Sequence, residues 1–152
     1  MGISRRVFAK GLLVAGGMVS FLGILPKSLM AAWNNDAFNA SNLQDAMKSY
    51  YGSGTTEASD KIKITAPSIA ENGAVVPISV SSSIEGAESI TIFVEKNPQP
   101  LIASFVLHKA NQNVSTRIKM AKTSNVYAVV LAKGKIYEAH QEVKVTIGGC
   151  GG

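Results

Sequence analysis

From residue 61 onward the chain repeats with a period of two. Ile62 and Ile64 alternate with Lys61 and Lys63, and Val76, Ile78 and Val80 alternate with Pro77, Ser79 and Ser81. Ile90, Ile92 and Val94 form a third run, and Ala103, Phe105 and Leu107 a fourth. Val114, Thr116, Ile118 and Met120 share one side, with Ser115, Arg117 and Lys119 on the other. Tyr127, Val129 and Leu131 come next, and the last run sets Tyr137, Ala139, Val143, Val145 and Ile147 against Glu138, His140, Glu142 and Lys144. Successive side chains of a strand point to opposite faces, so this period marks strands with one buried face. Turn signals separate the runs at Asn72-Gly73, Glu85-Gly86, Asn111-Gln112-Asn113 and Lys133-Gly134-Lys135. The pattern predicts a mainly β chain, an immunoglobulin-like antiparallel β-sandwich of about seven strands. Pro77, which cannot donate to a ladder, predicts an edge or a bulge at its position.

One stretch before residue 61 has the helical period instead. Leu43, Ala46, Met47 and Tyr50 fall on one stripe, and Gly52-Ser53-Gly54 stops it. Ser41 and Gln44 are spaced as a capping box, which would start the helix at Ser41. This short N-terminal helix is expected to lay its stripe on the protein's own sheet, the alternative being a partner surface.

Charge divides the chain at residue 32. The 152 residues carry a formal net charge of +5, with 15 basic and 10 acidic side chains. Arg5, Arg6, Lys10 and Lys27 precede residue 33 and no acid does, which leaves 11 basic against 10 acidic side chains thereafter. The basic excess therefore belongs to the first segment and is no nucleic-acid footprint, which needs a basic patch on the folded domain. Ser4-Arg5-Arg6-Val7-Phe8-Ala9-Lys10 leads into the apolar run Gly11 to Leu25, and small residues follow at Ala31-Ala32. That is the order of a signal peptide. Its apolar run is shorter than the roughly 20 residues of a spanning helix and is interrupted by Gly16, Gly17 and Gly23. Paired Arg5 and Arg6 with Phe8 and Lys10 resemble a twin-arginine export signal, with Ala9 where Leu is usual. The expected division is a signal peptide over residues 1–32, a helix plus sandwich over 33–147, and a tail over 148–152, with the mature protein in the periplasm. A twin-arginine route carries folded cargo, so joint export with a partner subunit is expected.

Chemistry-bearing constellations are sparse. A single cysteine forbids an internal disulfide. Zinc needs about four ligands, and His108, His140 and Cys150 lie far apart in sequence. Neither a haem attachment site nor a glycine-rich phosphate loop opening a helix occurs. No cofactor is expected, and an enzyme with its own active site is disfavoured.

The tail is the informative part. Cys150 sits between Gly148-Gly149 and Gly151-Gly152. A lone cysteine in an exported protein suggests intermolecular pairing or a reactive thiol. Glycine has no Cβ and reaches conformations closed to other residues, so the segment is a slim, flexible arm. Fully extended, the three residues beyond Ile147 carry Cys150 about 10 Å. That suits passage down a narrow channel to a buried centre. Without a charged neighbour, nothing in the tail activates the thiol, so an enzyme must do so. Three readings stand together: a covalent carrier, a structural subunit using Cys150 for an interchain disulfide, and a frayed terminus with an incidental cysteine.

The Gly148-Gly149-Cys150-Gly151-Gly152 segment, combined with the twin-arginine leader, resembles the SoxY family of the thiosulfate-oxidising system. Glu71-Asn72-Gly73-Ala74-Val75-Val76-Pro77-Ile78, Val94-Glu95-Lys96-Asn97-Pro98-Gln99-Pro100-Leu101 and the helix before Gly52 are similar to that family as well. The resemblance implies a sulfur carrier that catalyses nothing itself. Cys150 would hold thiosulfate-derived intermediates and present them to enzymes. A SoxZ-like subunit would complete a heterodimer. The haem enzyme SoxAX would conjugate thiosulfate to Cys150, the manganese hydrolase SoxB would release sulfate, and SoxCD, where present, would oxidise the remaining sulfane sulfur.

Overall fold

The structure is a computed structural model that describes residues 34–147. The leader at 1–32 with Arg5 and Arg6, and the arm at 148–152 with Cys150, Gly148, Gly149, Gly151 and Gly152, lie outside the described residues. The elements in chain order are α1 (Asn35–Asn39), α2 (Leu43–Tyr51), β1 (Glu57–Ala58), β2 (Ile62–Thr65), β3 (Ile69–Ala70), β4 (Val76–Ser82), β5 (Ala87–Val94), β6 (Leu101–Val106), β7 (Asn113–Ile118), β8 (Ser124–Ala132) and β9 (Lys135–Val145). β2, β4 and β7 form a three-stranded antiparallel sheet with β4 in the middle. The larger sheet runs β9-β8-β5-β6, antiparallel throughout, with β1 and β3 paired parallel to β9.

The two sheets bury their alternating side chains against each other. Val76, Ile78 and Val80 of β4 share one cluster with Ile90, Ile92 and Val94 of β5 and Val126, Ala128 and Val130 of β8. All nine are 0 or 1% exposed, and burying an aliphatic side chain of this kind stabilises by about 1.5–3 kcal/mol. This is the expected immunoglobulin-like sandwich.

The larger sheet is buried on its outer face too. Phe93, Leu101 and Val129 pack there with Ala37, Ala46 and Met47 of the two helices. The helical stripe thus lies on the protein's own sheet. It also corrects the reading of β8. Tyr127, Val129 and Leu131 face outward, and Val126, Ala128 and Val130 point to the sandwich core. A strand covered on both faces loses its hydrophobic–polar alternation.

The helix starts one residue later than the capping box suggests. Asn42, not Ser41, is the cap, and its Oδ1 accepts from the Asp45 N–H at 2.9 Å. Gly52 ends α2 with φ 74°, a left-handed conformation that suits glycine. An unexpected short helix, α1, precedes it, capped by Asn34, whose Oδ1 accepts from the Ala37 N–H. Asn34 Nδ2 also donates to the Ser49 carbonyl at 2.8 Å, tying the two helices together.

Two strands were also unforeseen. β1 and β3 have two residues each, too few to display a period, and each adds to β9 in parallel. Pro77 lies in the middle strand rather than at a sheet edge. β2 reaches β4 only from Ser79 onward, so β4 is locally an edge at Pro77 on that side. Lys133 (φ 51°) and Gly134 (φ 75°) join β8 to β9 in a two-residue hairpin turn, the geometry that needs positive φ at both positions.

Candidate functional site

β9 is the strand that leads to Cys150, and its last residues are gripped from both sides. β8 pairs along one edge, with Ser124 opposite Val143. β3 pairs along the other, with Ile69 opposite Lys144 and Ala70 opposite Val145. Side chains and loop backbone then continue the grip beyond the strand. The Val145 N–H donates to Thr123 Oγ1 at 2.9 Å. The Thr146 N–H donates to the Ala70 carbonyl at 3.1 Å, and Thr146 Oγ1 donates to the Glu71 carbonyl at 3.0 Å.

The last bond in the series is made by a glycine. The Gly73 N–H donates to the Ile147 carbonyl at 2.8 Å, and the Gly73 carbonyl accepts from the Met120 N–H at 2.7 Å. Gly73 is buried, and Asn72 Oδ1 shapes its turn by accepting from the Ala74 N–H at 2.8 Å. The Met120 segment is held in its turn by Asn97, only 9% exposed. Asn97 Nδ2 donates to the Lys119 carbonyl at 2.8 Å, and its Oδ1 accepts from the Ala121 N–H at 2.9 Å. A continuous relay therefore runs from Asn97 through Met120 and Gly73 to the Ile147 carbonyl. Each bond contributes about 1 kcal/mol net. Ile147 is the fixed root from which the glycine–cysteine segment departs.

Sequence reading ended the last strand near Ile147, three residues before Cys150; β9 ends at Val145, and the hydrogen bonds of Thr146 and the Ile147 carbonyl carry the held backbone two residues further. Gly73, Asn97 and Thr123 were not foreseen as parts of the root. Asn72-Gly73 had been read as a turn, and it and Asn97 as parts of two segments similar to the family, without a role in holding the tail. His108 and His140 are both exposed and belong to different regions, His140 lying beside the Tyr127 ring with centroids 5.0 Å apart. Among the described residues no three of His, Cys, Asp and Glu are grouped so as to hold a metal, and no helix is long and apolar enough to cross a membrane.

A shallow groove of about 360 Å³ lies on the outer face of the larger sheet, lined by Tyr50, Tyr51, Glu88, Ser89, Val106 and Leu131. Tyr50 Oη donates to Ser104 Oγ at 2.6 Å, which also bonds Thr91 Oγ1 at 2.9 Å. The Tyr51 hydroxyl is buried and makes no well-formed hydrogen bond. Burial pushes its pKa far above the usual phenol value, and the nearby Thr91 and Ser89 hydroxyls offset this only in part. This groove cannot serve Cys150. Leu131 is opposite Ile136, and from Ile136 to Ile147 the chain runs roughly 35 Å along the strand direction. The thiol's reach of about 10 Å falls well short.

The comparisons agree with the sequence resemblance. The family model described as "Sulfur oxidation protein SoxY" matches residues 47–150. A solved structure of the sulfur carrier protein SoxY from Chlorobium limicola f thiosulfatophilum is 48% identical. That match covers 75% of this chain and 100% of the solved one, with a TM-score of 0.64. No curated protein matches the chain.

Proposed function

The chain belongs to the SoxY family of sulfur oxidation proteins, and from that membership we propose that it is a periplasmic carrier holding thiosulfate-derived sulfur covalently on Cys150. The observation that carries the reading is the root: the relay ends at Ile147, and the lone thiol follows three residues later on a glycine segment. A rigid platform with a slim thiol arm is what a substrate shuttle needs. Because the family is one of sulfur carriers, the chemistry is assigned to partner enzymes.

The chemistry asked of the thiol is simple. Conjugation joins the Cys150 sulfur to the sulfane sulfur of thiosulfate, giving R–S–S–SO3⁻. It releases one proton and two electrons, which a SoxAX-like haem enzyme takes up. Hydrolysis by a SoxB-like enzyme then adds water, frees sulfate and two protons, and leaves R–S–S⁻ on the arm. A SoxCD-like dehydrogenase oxidises that outer sulfur where the pathway includes it. Docking stays weak because ordering each backbone residue of the arm in a channel costs roughly 1–2 kcal/mol. A shuttle must release as readily as it binds.

We further assign residues 1–32 to a twin-arginine export signal and propose a SoxZ-like subunit as co-exported partner. Arg5→Lys with Arg6→Lys should hold both subunits in the cytoplasm; a partner that still reached the periplasm would refute joint export. The carrier role is tested by Cys150→Ser in a reconstituted thiosulfate-oxidising mixture. Turnover should vanish while the urea midpoint stays that of the parent. Full turnover would end the carrier reading.

A further inference from the structure

Large apolar side chains scattered singly on a surface are ordinary. Here they are not scattered. Among the described residues four large hydrophobics stand out as exposed: Ile69 (56%), Val75 (54%), Val106 (63%) and Ile147 (68%). Three of them belong to one corner. Ile69 is in β3, opposite Lys144 of β9. Val75 is two residues from Gly73, the glycine that holds the Ile147 carbonyl. Ile147 is the root itself. Val106 is remote, at the groove beside Tyr51.

The corner is where a partner must press. Cys150 is the third residue beyond Ile147, so the thiol reaches about 10 Å from the root at full extension. An enzyme whose reacting centre lies in a channel can meet the thiol only if its channel mouth closes onto the surface around Ile147. A gap of even a few ångströms there subtracts directly from the depth the thiol attains. Reach therefore fixes which surface is in the interface, whatever else the two proteins touch.

We propose that Ile69, Val75 and Ile147 form an apolar collar on which an enzyme acting on Cys150 seats its channel mouth. This rests on the carrier reading and adds the docking surface to it. The relay through Gly73 holds the Ile147 backbone and the pairing of β3 with β9 holds that of Ile69, so the mouth meets a preformed surface. Three partly exposed side chains are a small apolar patch. That matches the low end of interface size, where short-lived encounters sit. Charged Glu71 and Lys144, both exposed, flank the collar and set orientation rather than affinity.

The test is steady-state kinetics of thiosulfate conjugation with the haem conjugating enzyme and an electron acceptor. The substrate is the mature chain with its partner subunit, as parent, Ile69→Ser, Val75→Ser, the double variant, and the remote Val106→Ser. Each collar substitution should raise KM for the carrier about tenfold, the cost of leaving one aliphatic side chain unburied. kcat and the rate of Cys150 alkylation by iodoacetamide should stay within twofold, and Val106→Ser should behave as the parent. An unchanged KM in the double variant overturns the collar. Loss of the partner subunit on gel filtration overturns it too, because the corner would then be the subunit interface. Cys150→Ser, run alongside, separates the two claims: turnover without the thiol refutes the carrier reading, whereas a dead Cys150→Ser with an unaffected double variant refutes only the collar.

Discussion

Replacing Asn97 by Ala removes the hinge of the relay to the arm root. The side chain is 9% exposed and satisfies the Lys119 carbonyl at 2.8 Å and the Ala121 N–H at 2.9 Å. Without it, two backbone groups lose their partner together. A buried polar group left unpaired costs about 1–3 kcal/mol, so the pair sets a loss of about 2–6 kcal/mol. A water entering the vacated space would satisfy part of the demand and hold the loss to the lower end. With an m-value of about 2 kcal/mol per molar urea, the midpoint should fall by about 1–2 M at unchanged slope. The effect should also travel. Met120 sits between the two residues Asn97 holds, and its N–H bonds Gly73, which bonds Ile147. Hydrogen exchange at the Gly73 amide should therefore speed up well beyond that of the β5 core amides. A midpoint shift below about 0.3 M, or a Gly73 amide protected as in the parent, would refute the relay.

Other substitutions probe the face under the helices. Tyr51→Phe deletes a buried hydroxyl with no well-formed bond, so stability at pH 7 should be unchanged or raised by up to about 1 kcal/mol. The same hydroxyl has a folded pKa above its unfolded value of 10.0. The unfolded chain then loses the proton first, so stability is full below pH 10 and falls as pH rises above it. Tyr51→Phe should remove part of that alkaline loss. Tyr127, whose pKa is raised by burial and then by Glu95 and Glu138, should sustain the rest. Equal losses between pH 9 and 11 in parent and variant would contradict this. Met47→Ala empties a site 2% exposed between α2 and the sheet and should cost about 2–5 kcal/mol by urea melt.

Alternation made the sandwich readable because most strands have one wet face. It failed for β8, where Tyr127, Val129 and Leu131 looked like the core face only because the helices cover them. β1, β3 and α1 were too short for any period to show. Ser41 and Gln44 matched a capping pattern, yet Asn42 stands one residue nearer the helix and its side chain takes the bond. The thiol and its glycines were legible as residues. The root was not, because the Asn97 side chain meets backbone groups 22 and 24 residues away and Met120, Gly73 and Ile147 are joined backbone to backbone over still longer separations, which sequence does not display. The collar was hidden likewise: Ile69, Val75 and Ile147 gather only once β3 pairs with β9.

Covalent carriage on Cys150 is the central claim, and intact-mass spectrometry of the mature protein tests it most directly. The protein is taken from thiosulfate-oxidising cells, measured with and without reductant, and digested to map the C-terminal peptide. The account predicts thiosulfate- or sulfane-type additions on Cys150 alone that reductant removes. A bare thiol, or a disulfide to another protein chain with no sulfur adduct, would contradict it.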